Sequence, residues 1–287
     1  MLRSFQAPSD LRFVWSPVLR FVWVGLFVAL SQPLAAPSAL SQPASTPHAH
    51  TAIDQAQARP LLDALDHGVT SVEMDVYLVD GRLLVDESAP DPEAATLQAV
   101  YLEPLRAHLS AHGGRVYEDD VPLQLLLDIQ TEAEATYTAL SQVLRQYADF
   151  LTIFTYEGEA VGAATIILTG NRPRTALERE IVRYAAYDGR LDDLTDPAST
   201  SFMPLISDDW TRICDWQGDG PLSALQSDRL RRVVERVHSQ GRKLRLWGLP
   251  DNVLVWDTLI AHGVDYVHTQ NLSGFRHYTQ NAASNTD

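Results

Sequence analysis

Stretches with strand-like and helix-like hydrophobic patterns alternate along most of this chain of 287 residues. Runs such as 123–128 and 165–169 are almost continuously apolar, which is typical of strands in a parallel sheet covered by helices. Strands are predicted over 70–79, 123–129, 150–155, 163–169, 181–187, 202–206, 243–247 and 264–268, after a first strand that carries His48 and His50. Helices are predicted near 56–66, 97–111, 133–147, 174–180, 223–240 and 253–262, the last capped by Asp251.

This alternation of strands and helices indicates the fold class. About eight such units over roughly 235 residues favour a (β/α)₈ TIM barrel over an open doubly wound sheet. A dinucleotide-binding fold lacks support, because no Gly-x-Gly-x-x-Gly follows the first strand.

Both ends of the chain have a composition different from the middle. The basic, apolar and small-residue pattern of residues 1–36 predicts a secretory signal peptide, and 37–47, rich in Pro, Ser and Ala, a linker. The barrel is then expected over 48–277, and the polar tail 278–287 is expected to be disordered. The apolar run 21–30 is short for a membrane span, which favours export to the periplasm or the exterior, with no stable span after cleavage. An uncleaved N-terminal anchor stays open, because Phe13–Trp15 extend the apolar region.

Charge and cysteine content narrow the classes of partner. The net charge of −15 and the pI near 4.9 argue against binding to nucleic acid or anionic membranes. An anionic substrate would be repelled at long range, unless a bound cation inverts the local field. Cys214 is the single cysteine, which excludes an intramolecular disulfide and a cysteine-based metal site.

Two carboxylates lie in the middle of the predicted strand 70–79. Glu73 and Asp75 occupy positions i and i+2, so their side chains project to the same side, while Val72, Met74 and Val76 face the other way. Neighbouring carboxylates repel each other and lose hydration, and a divalent cation or strong donors would relieve both costs. A solvated pair on an edge strand is the alternative.

Polar residues also follow several other predicted strands, where a barrel places its active site. Asp128 is the one that matters most, since three carboxylates from neighbouring strands would form an oxygen cage for Mg²⁺ or Ca²⁺. The other positions are Asp188, Asp208, Asp209, Trp247, Gln270 and Asn271. A carboxylate at a strand end also suits a simple helix cap, as for Asp188 or Asp209.

The order of these motifs resembles the glycerophosphodiester phosphodiesterase superfamily, and within it the branch that includes the yeast altered inheritance of mitochondria protein 6. The resemblance covers nearly all of residues 48–275. The stretches that carry it are His48-Ala-His50, Arg59-Pro-Leu, Gly68-Val-Thr-Ser-Val-Glu73-Met-Asp75, Leu126-Leu-Asp-Ile-Gln130, Asp188-Gly-Arg-Leu and Leu244-Arg-Leu-Trp-Gly-Leu-Pro-Asp251.

The resemblance implies a phospholipase-C-like TIM barrel with one divalent cation and two histidines as general acid and base. By match, Glu73, Asp75 and Asp128 take the metal positions, and His50 or else His48 takes the first-histidine position. Gln130, at the position of the phosphate-contacting lysine, and Trp247 are the candidates for binding a small phosphodiester substrate.

The chain departs from the family pattern at several of these positions. Glu87 stands where the second histidine belongs, and Gln130 replaces the lysine that would contact phosphate. Gln270 replaces an aspartate that commonly follows the last strand. Two functions therefore stay open: an exported, metal-dependent phosphodiesterase in which Glu87 supplies the altered acid/base group, or a degenerate barrel that binds a ligand or partner without turnover.

Overall fold

The computed structural model describes residues 42–52, 58–88 and 90–284. Eight parallel strands close into a barrel, because each pairs with the next and the last pairs with the first. In order around the barrel they are β1 (Thr46–Ala52), β2 (Val69–Val79), β4 (Leu123–Ile129), β7 (Ala164–Gly170), β9 (Ala186–Gly189), β10 (Leu205–Asp209), β11 (Lys243–Trp247) and β12 (Tyr266–His268). The predicted (β/α)₈ barrel is confirmed.

The remaining short strands lie outside the barrel: β3 (Arg82–Val85), β5 (Ile153–Thr155), β6 (Gly158–Ala160) and β8 (Val182–Arg183). β3 pairs antiparallel with β2 through Asp80 and Gly81, both at positive φ as a type I′ turn requires. β5, β6 and β8 form a separate antiparallel sheet. The predicted strand 150–155 is confirmed in part as β5, but it does not join the barrel: a two-residue connection makes it a hairpin with β6. The predicted strand 181–187 is divided between β8 and β9.

Helices cover the outside of the barrel. They are α1 (Pro60–Asp66), α2 (Glu103–Ala111), preceded by a π-helical turn at Gln98–Leu102, α3 (Ala133–Leu144), α4 (Arg174–Arg179), α5 (Ala224–His238), α6 (Val253–Ala261) and α7 (Leu272–Ser284). Ser223 and Gln226 form a capping box at α5. Asn252, not the predicted Asp251, caps α6. Asp251 instead accepts hydrogen bonds from the backbone of Gln270 and Asn271, which ties the loops after β11 and β12 together.

Two apolar clusters stabilise the fold. The larger one joins the outward faces of the strands to the helices. The smaller one, Leu126, Ile167, Leu205 and Tyr266, comes from four barrel strands and fills the interior. Polar side chains above this plug therefore lie at the carboxyl-terminal mouth of the barrel.

The ends of the described chain differ in part from the sequence-based expectation. The predicted signal peptide, and all of the linker before residue 42, lie outside the described residues. β1 begins at Thr46, two residues before the predicted start of the barrel. Residues 278–284 continue α7 instead of being disordered, because Tyr278 packs near Trp256 and donates a hydrogen bond to Asp257. In the described part of the chain, no helix has both the length and the apolarity to cross a bilayer.

Candidate active site at the barrel mouth

Strand register places the candidate residues on the inner face of the barrel. Leu126 of the interior plug is the partner of Glu73 on β2 and of Ile167 on β7. Two residues further along, Asp75 is the partner of Asp128, so both carboxylates point to the same side as Leu126 but nearer the mouth. The structure therefore brings Glu73, Asp75 and Asp128 to one wall of the mouth, which is called the acidic wall below.

An arginine from the opposite side of the barrel holds Glu73. Arg245 of β11 is buried, and its Nη2 donates to Oε2 of Glu73. Burial alone would raise the pKa of Glu73, but the charge of Arg245 outweighs it and holds this pKa at about 2. Glu73 is therefore ionised and has a cation as its partner.

His50 lies beneath this ion pair and is fully buried. Nε2 of His50 lies 2.9 Å from Nε of Arg245 and 3.2 Å from Oε2 of Glu73. Because a guanidinium N–H can only donate, Nε2 accepts from Arg245 and the proton resides on Nδ1, which donates to Ser71 Oγ at 2.8 Å. Burial, and then the charge of Arg245, lower the pKa of His50 to about 3. His50 is thus a neutral imidazole with both nitrogens occupied.

Asp75 and Asp128, by contrast, have too little positive charge around them. Burial raises the pKa of Asp75 to about 6, and the charges of Asp128 and Glu73 act in the same direction. Burial and Glu73 likewise raise the pKa of Asp128 to about 6, although Arg245 and Arg190 act against them. Two adjacent carboxylates that resist ionisation are a suitable environment for a cation.

The backbone of Gly170 makes room for Asp128. Gly170 ends β7 with φ of 65°, and a Cβ placed there would lie 1.9 Å from Oδ1 of Asp128. Hard oxygen donors in such a space fit Mg²⁺ or Ca²⁺. Among the described residues, however, no three acidic, histidine or cysteine side chains are arranged to hold a metal ion, and Glu73 is paired with Arg245. The three-carboxylate site stays a prediction.

Two guanidinium groups, those of Arg190 and Arg245, lie near the ring of Trp247. These three residues are called the basic wall below. Arg190 and Arg245 lie 5.2 and 5.3 Å from the Trp247 ring. Arg190 is only partly buried, and it donates to Asp188 Oδ2 at 2.6 Å and to Thr169 Oγ1 at 2.9 Å. Thr169 is the β7 partner of Asp128, so the mouth places fixed cations close to the acidic pair.

The two substituted positions lie at the rim. Gln130 is exposed and hydrogen-bonds the carboxylate of Asp75, so it orients an acid. Glu87 is also exposed, and its charge is among those that raise the pKa of Asp75. The burial that would favour Glu87 as a proton donor is therefore lacking.

His48 lies at the other end of the barrel. Its Nδ1 hydrogen-bonds the carbonyl of Asp265 at 3.1 Å, and it lines a cavity of about 530 Å³ with Gln124, Thr165 and Lys243 near the amino-terminal ends of their strands. The alternative in which His48 takes the catalytic position is therefore not supported by its placement.

Three residues of the mouth were not singled out from the sequence: Arg190, Arg245 and His268. The sequence does contain a sign that Arg245 is functional. It is a charged residue between Leu244 and Leu246 in a buried strand, and it shares a face with Trp247. His268 likewise shares the inner face of β12 with Tyr266. Nothing in local spacing shows that both meet β1 and β2, since that contact needs the barrel to close.

Known proteins are similar to this chain in sequence or in fold. A family model described as the AIM6-like phosphodiesterase domain matches residues 40–188. The altered inheritance of mitochondria protein 6 homolog of Arthroderma benhamiae is 28% identical over 245 residues, which cover 75% of this chain and 76% of that protein. Altered inheritance of mitochondria protein 6 of Eremothecium gossypii is 29% identical over 273 residues, 78% and 67% of the two chains.

A solved structure has the same barrel. The calcium-dependent phosphoinositol-specific phospholipase C of a Pseudomonas species superposes with a TM-score of 0.54 at 13% identity, and the match covers 80% of this chain and 92% of that one. At this identity the likeness shows the fold alone.

Proposed function

Since this chain belongs to the AIM6-like phosphodiesterase domain family, we propose that it is a divalent-cation-dependent phosphodiesterase that acts on glycerophosphodiester-like substrates. One observation carries the proposal. Asp75 and Asp128, whose pKa values are raised by burial and by neighbouring carboxylates, share the barrel mouth with Arg190 and Arg245. A cation and a phosphodiester anion together would satisfy both walls.

The acidic wall would hold the cation. Asp75 and Asp128 supply the oxygen ligands, and Glu73 joins them if its second oxygen, free of the Arg245 contact, turns towards the ion. A bound divalent cation would neutralise the phosphate charge and lower the barrier to attack on phosphorus. Ca²⁺ is the first ion to test, because the Pseudomonas phospholipase is calcium-dependent, and Mg²⁺ is the second.

The basic wall would hold the phosphate. The partly exposed guanidinium of Arg190 is fixed by Asp188 and Thr169, so it can present its remaining donors to a phosphate oxygen without losing its orientation. This arginine takes over the role that Gln130 cannot fill. Trp247 offers an apolar face beside it for the organic part of the substrate.

Ligand binding without turnover is the second candidate function, and one observation favours it. Both ring nitrogens of His50 are engaged, and Glu87 is exposed, so neither predicted acid/base group is poised for proton transfer. The basic wall and the acidic pair would still bind a cation and a phosphodiester in that case.

Turnover assays distinguish the two. Hydrolysis of alkyl and aryl phosphodiesters is measured with Ca²⁺, with Mg²⁺ and with chelator, on the wild type, Asp128→Asn and the exposed control Asp219→Asn. The proposal expects cation-dependent turnover that Asp128→Asn loses and Asp219→Asn keeps. Calorimetry that detects cation and diester binding while no diester is hydrolysed establishes the binding function instead.

We also propose that the protein acts outside the cytoplasm, in the periplasm or beyond it. The support is the basic, apolar and small-residue pattern of residues 1–36. N-terminal sequencing of the protein from its native host tests this, and a mature start between about Ala36 and Ser41 is expected. An intact N-terminus in the cytoplasm would contradict it.

A further inference from the structure

Two histidines face the inside of the barrel on adjacent strands. His50 of β1 and His268 of β12 are partners in the parallel ladder, and their ring centroids are 5.9 Å apart at an interplanar angle of 52°. They differ in what their nitrogens contact. His50 is fully buried, and Arg245 and Ser71 occupy both of its nitrogens. It has no lone pair left for a ligand.

His268 is in the opposite situation. It is only half-buried, and within the described part of the chain neither of its ring nitrogens has a hydrogen-bond partner. It follows the paired residues Leu246 and Val267 of β11 and β12, on the same face as Trp247. Its imidazole thus lies on the inner face at the carboxyl-terminal end of β12, at the level of Trp247, with no nitrogen bound to a described residue.

Burial, and after it the charge of Arg245, favours the neutral ring of His268. Burial lowers its pKa, and the charge of Arg245 on β11 acts in the same direction, whereas Glu73 on β2 and Asp251 after β11 act against them. The neighbouring His50 on β1 is itself neutral. A neutral imidazole at physiological pH carries a free lone pair and can accept a proton.

We propose that His268 is the general base of the phosphodiesterase reaction, a role for which the sequence offered His50, His48 or Glu87. This inference rests on the proposed function.

The proton transfers balance without another group. A water molecule forms a bond from its oxygen to phosphorus and gives one proton to the free ring nitrogen of His268. The bond from phosphorus to the leaving oxygen breaks, and the leaving alkoxide takes a proton from solvent water at the open mouth. The hydroxide so formed removes the proton from the imidazolium, so the ring ends neutral. One water is consumed for each diester, which yields a monoester and an alcohol.

The test uses three variants of the full chain with bis(4-nitrophenyl) phosphate at saturating Ca²⁺. His268→Gln is expected to lower kcat by about 10²–10⁴-fold, as for loss of a positioned proton acceptor. His268→Gly is expected to lose as much and to recover part of the rate when imidazole is added. His277→Gln, an exposed histidine on α7, serves as the matched control and should keep the wild-type rate. Thermal unfolding and calorimetry with Ca²⁺ check that each variant folds and binds the cation.

The outcomes separate this inference from the proposed function. If the wild type turns over and His268→Gln keeps its kcat, the role of His268 is refuted while the proposed function stands. If His268→Gly loses activity and imidazole restores none of it, the histidine acts structurally and the inference is also refuted. If the wild type hydrolyses no diester, the proposed function fails, and this inference fails with it.

Discussion

The Nε–H group of Arg245 donates a hydrogen bond of 2.9 Å to Nε2 of His50, across 195 positions of sequence. The same guanidinium binds Glu73, so one arginine connects the first, second and seventh strands of the barrel. The contact fixes the tautomer of His50 and removes its lone pair from the mouth. It makes His50 a residue that positions Arg245, and this assignment has a measurable consequence for stability.

His50→Gln should flatten the acid limb of the stability curve. Burial and Arg245 hold the pKa of His50 at about 3, below its value of 6.5 in the unfolded chain. Between these values the unfolded chain takes up a proton that the folded chain refuses, so wild-type stability falls as the pH falls from 6.5 towards 3. One such proton corresponds to about 1.4 kcal/mol per pH unit. Urea unfolding of both proteins between pH 4 and 7 measures the difference.

The exposed His277→Gln variant is the control, and its stability should follow the wild type at every pH. Suppose instead that the wild type and His50→Gln differed in unfolding free energy by the same amount at every pH in this range. His50 would then not be held neutral, and the tautomer assigned to it from the contact with Arg245 would be wrong.

Asp128→Asn should gain stability relative to the wild type as the pH rises, when chelator is present. Burial and Glu73 raise the pKa of Asp128 to about 6, above an unfolded value near 4. Between these values the folded chain holds the extra proton, so this group contributes stability at low pH that is lost as the pH rises through 6. The amide that replaces the carboxylate carries no charge at any of these pH values, and the variant therefore escapes the loss.

Added Ca²⁺ should make the wild type more stable than Asp128→Asn. The cation removes the repulsion between carboxylates in the wild type and finds fewer ligands in the variant. Urea unfolding with and without Ca²⁺ at pH 5 and 7.5 measures both effects. An Asp128→Asn variant that is stabilised by Ca²⁺ as much as the wild type would exclude Asp128 as a ligand.

Much of the fold is predictable from the sequence, because most strands and helices are indicated by the pattern of residues within each segment. The continuous apolar run 123–128 indicates a buried parallel strand, and the periodicity of 223–240 indicates a helix. Because such local patterns alternate along the chain, they predict the barrel. The segment 150–155 contains a strand, but hydrophobicity does not show that it pairs with β6 through a tight turn instead of joining the barrel. Glu73 and Asp75 were found by their i, i+2 spacing. Arg245 and His268 were not, since their contacts exist only once β1 and β12 pair to close the barrel.

Gly170→Ala should weaken cation binding as well as the fold. A Cβ at this position would meet Oδ1 of Asp128 at 1.9 Å and the carbonyl oxygen of Ile129 at 2.7 Å, so the carboxylate must move. Gly113→Ala is a matched control, because Gly113 has the same φ of 65° and nothing within 4 Å of its Cβ position. The control should lose only the cost of an alanine at positive φ, about 1 kcal/mol.

Calorimetry with Ca²⁺ and urea unfolding measure the two effects separately. Gly170→Ala should lose more stability than Gly113→Ala and should bind Ca²⁺ at least tenfold more weakly, whereas Gly113→Ala should bind it as the wild type does. Equal Ca²⁺ affinity in the two variants would show that the Asp128 carboxylate does not depend on this space.

Glu87→His should raise the rate on alkyl phosphodiesters selectively. An alkyl leaving group needs a proton as the P–O bond breaks, whereas a nitrophenyl leaving group hardly does, and loss of a positioned acid typically costs about 10²–10⁴-fold. Because Glu87 is exposed at the rim, the wild type should be slow on glycerophosphocholine and comparatively fast on bis(4-nitrophenyl) phosphate. Glu87 is close enough to affect Asp75, so a histidine there would have an acidic neighbour that favours its protonated form.

Rates on the two substrates are compared for the wild type, Glu87→His and Glu93→His, which places the same side chain at another exposed acid of this loop. Only Glu87→His should raise the ratio of alkyl to aryl turnover, because only that position lies beside the acidic wall. A wild type that already hydrolyses the alkyl diester rapidly, and that Glu87→His slows, would show that Glu87 is itself a competent acid despite its exposure. A rise in both variants alike would assign the effect to the charge of the loop instead of to proton transfer.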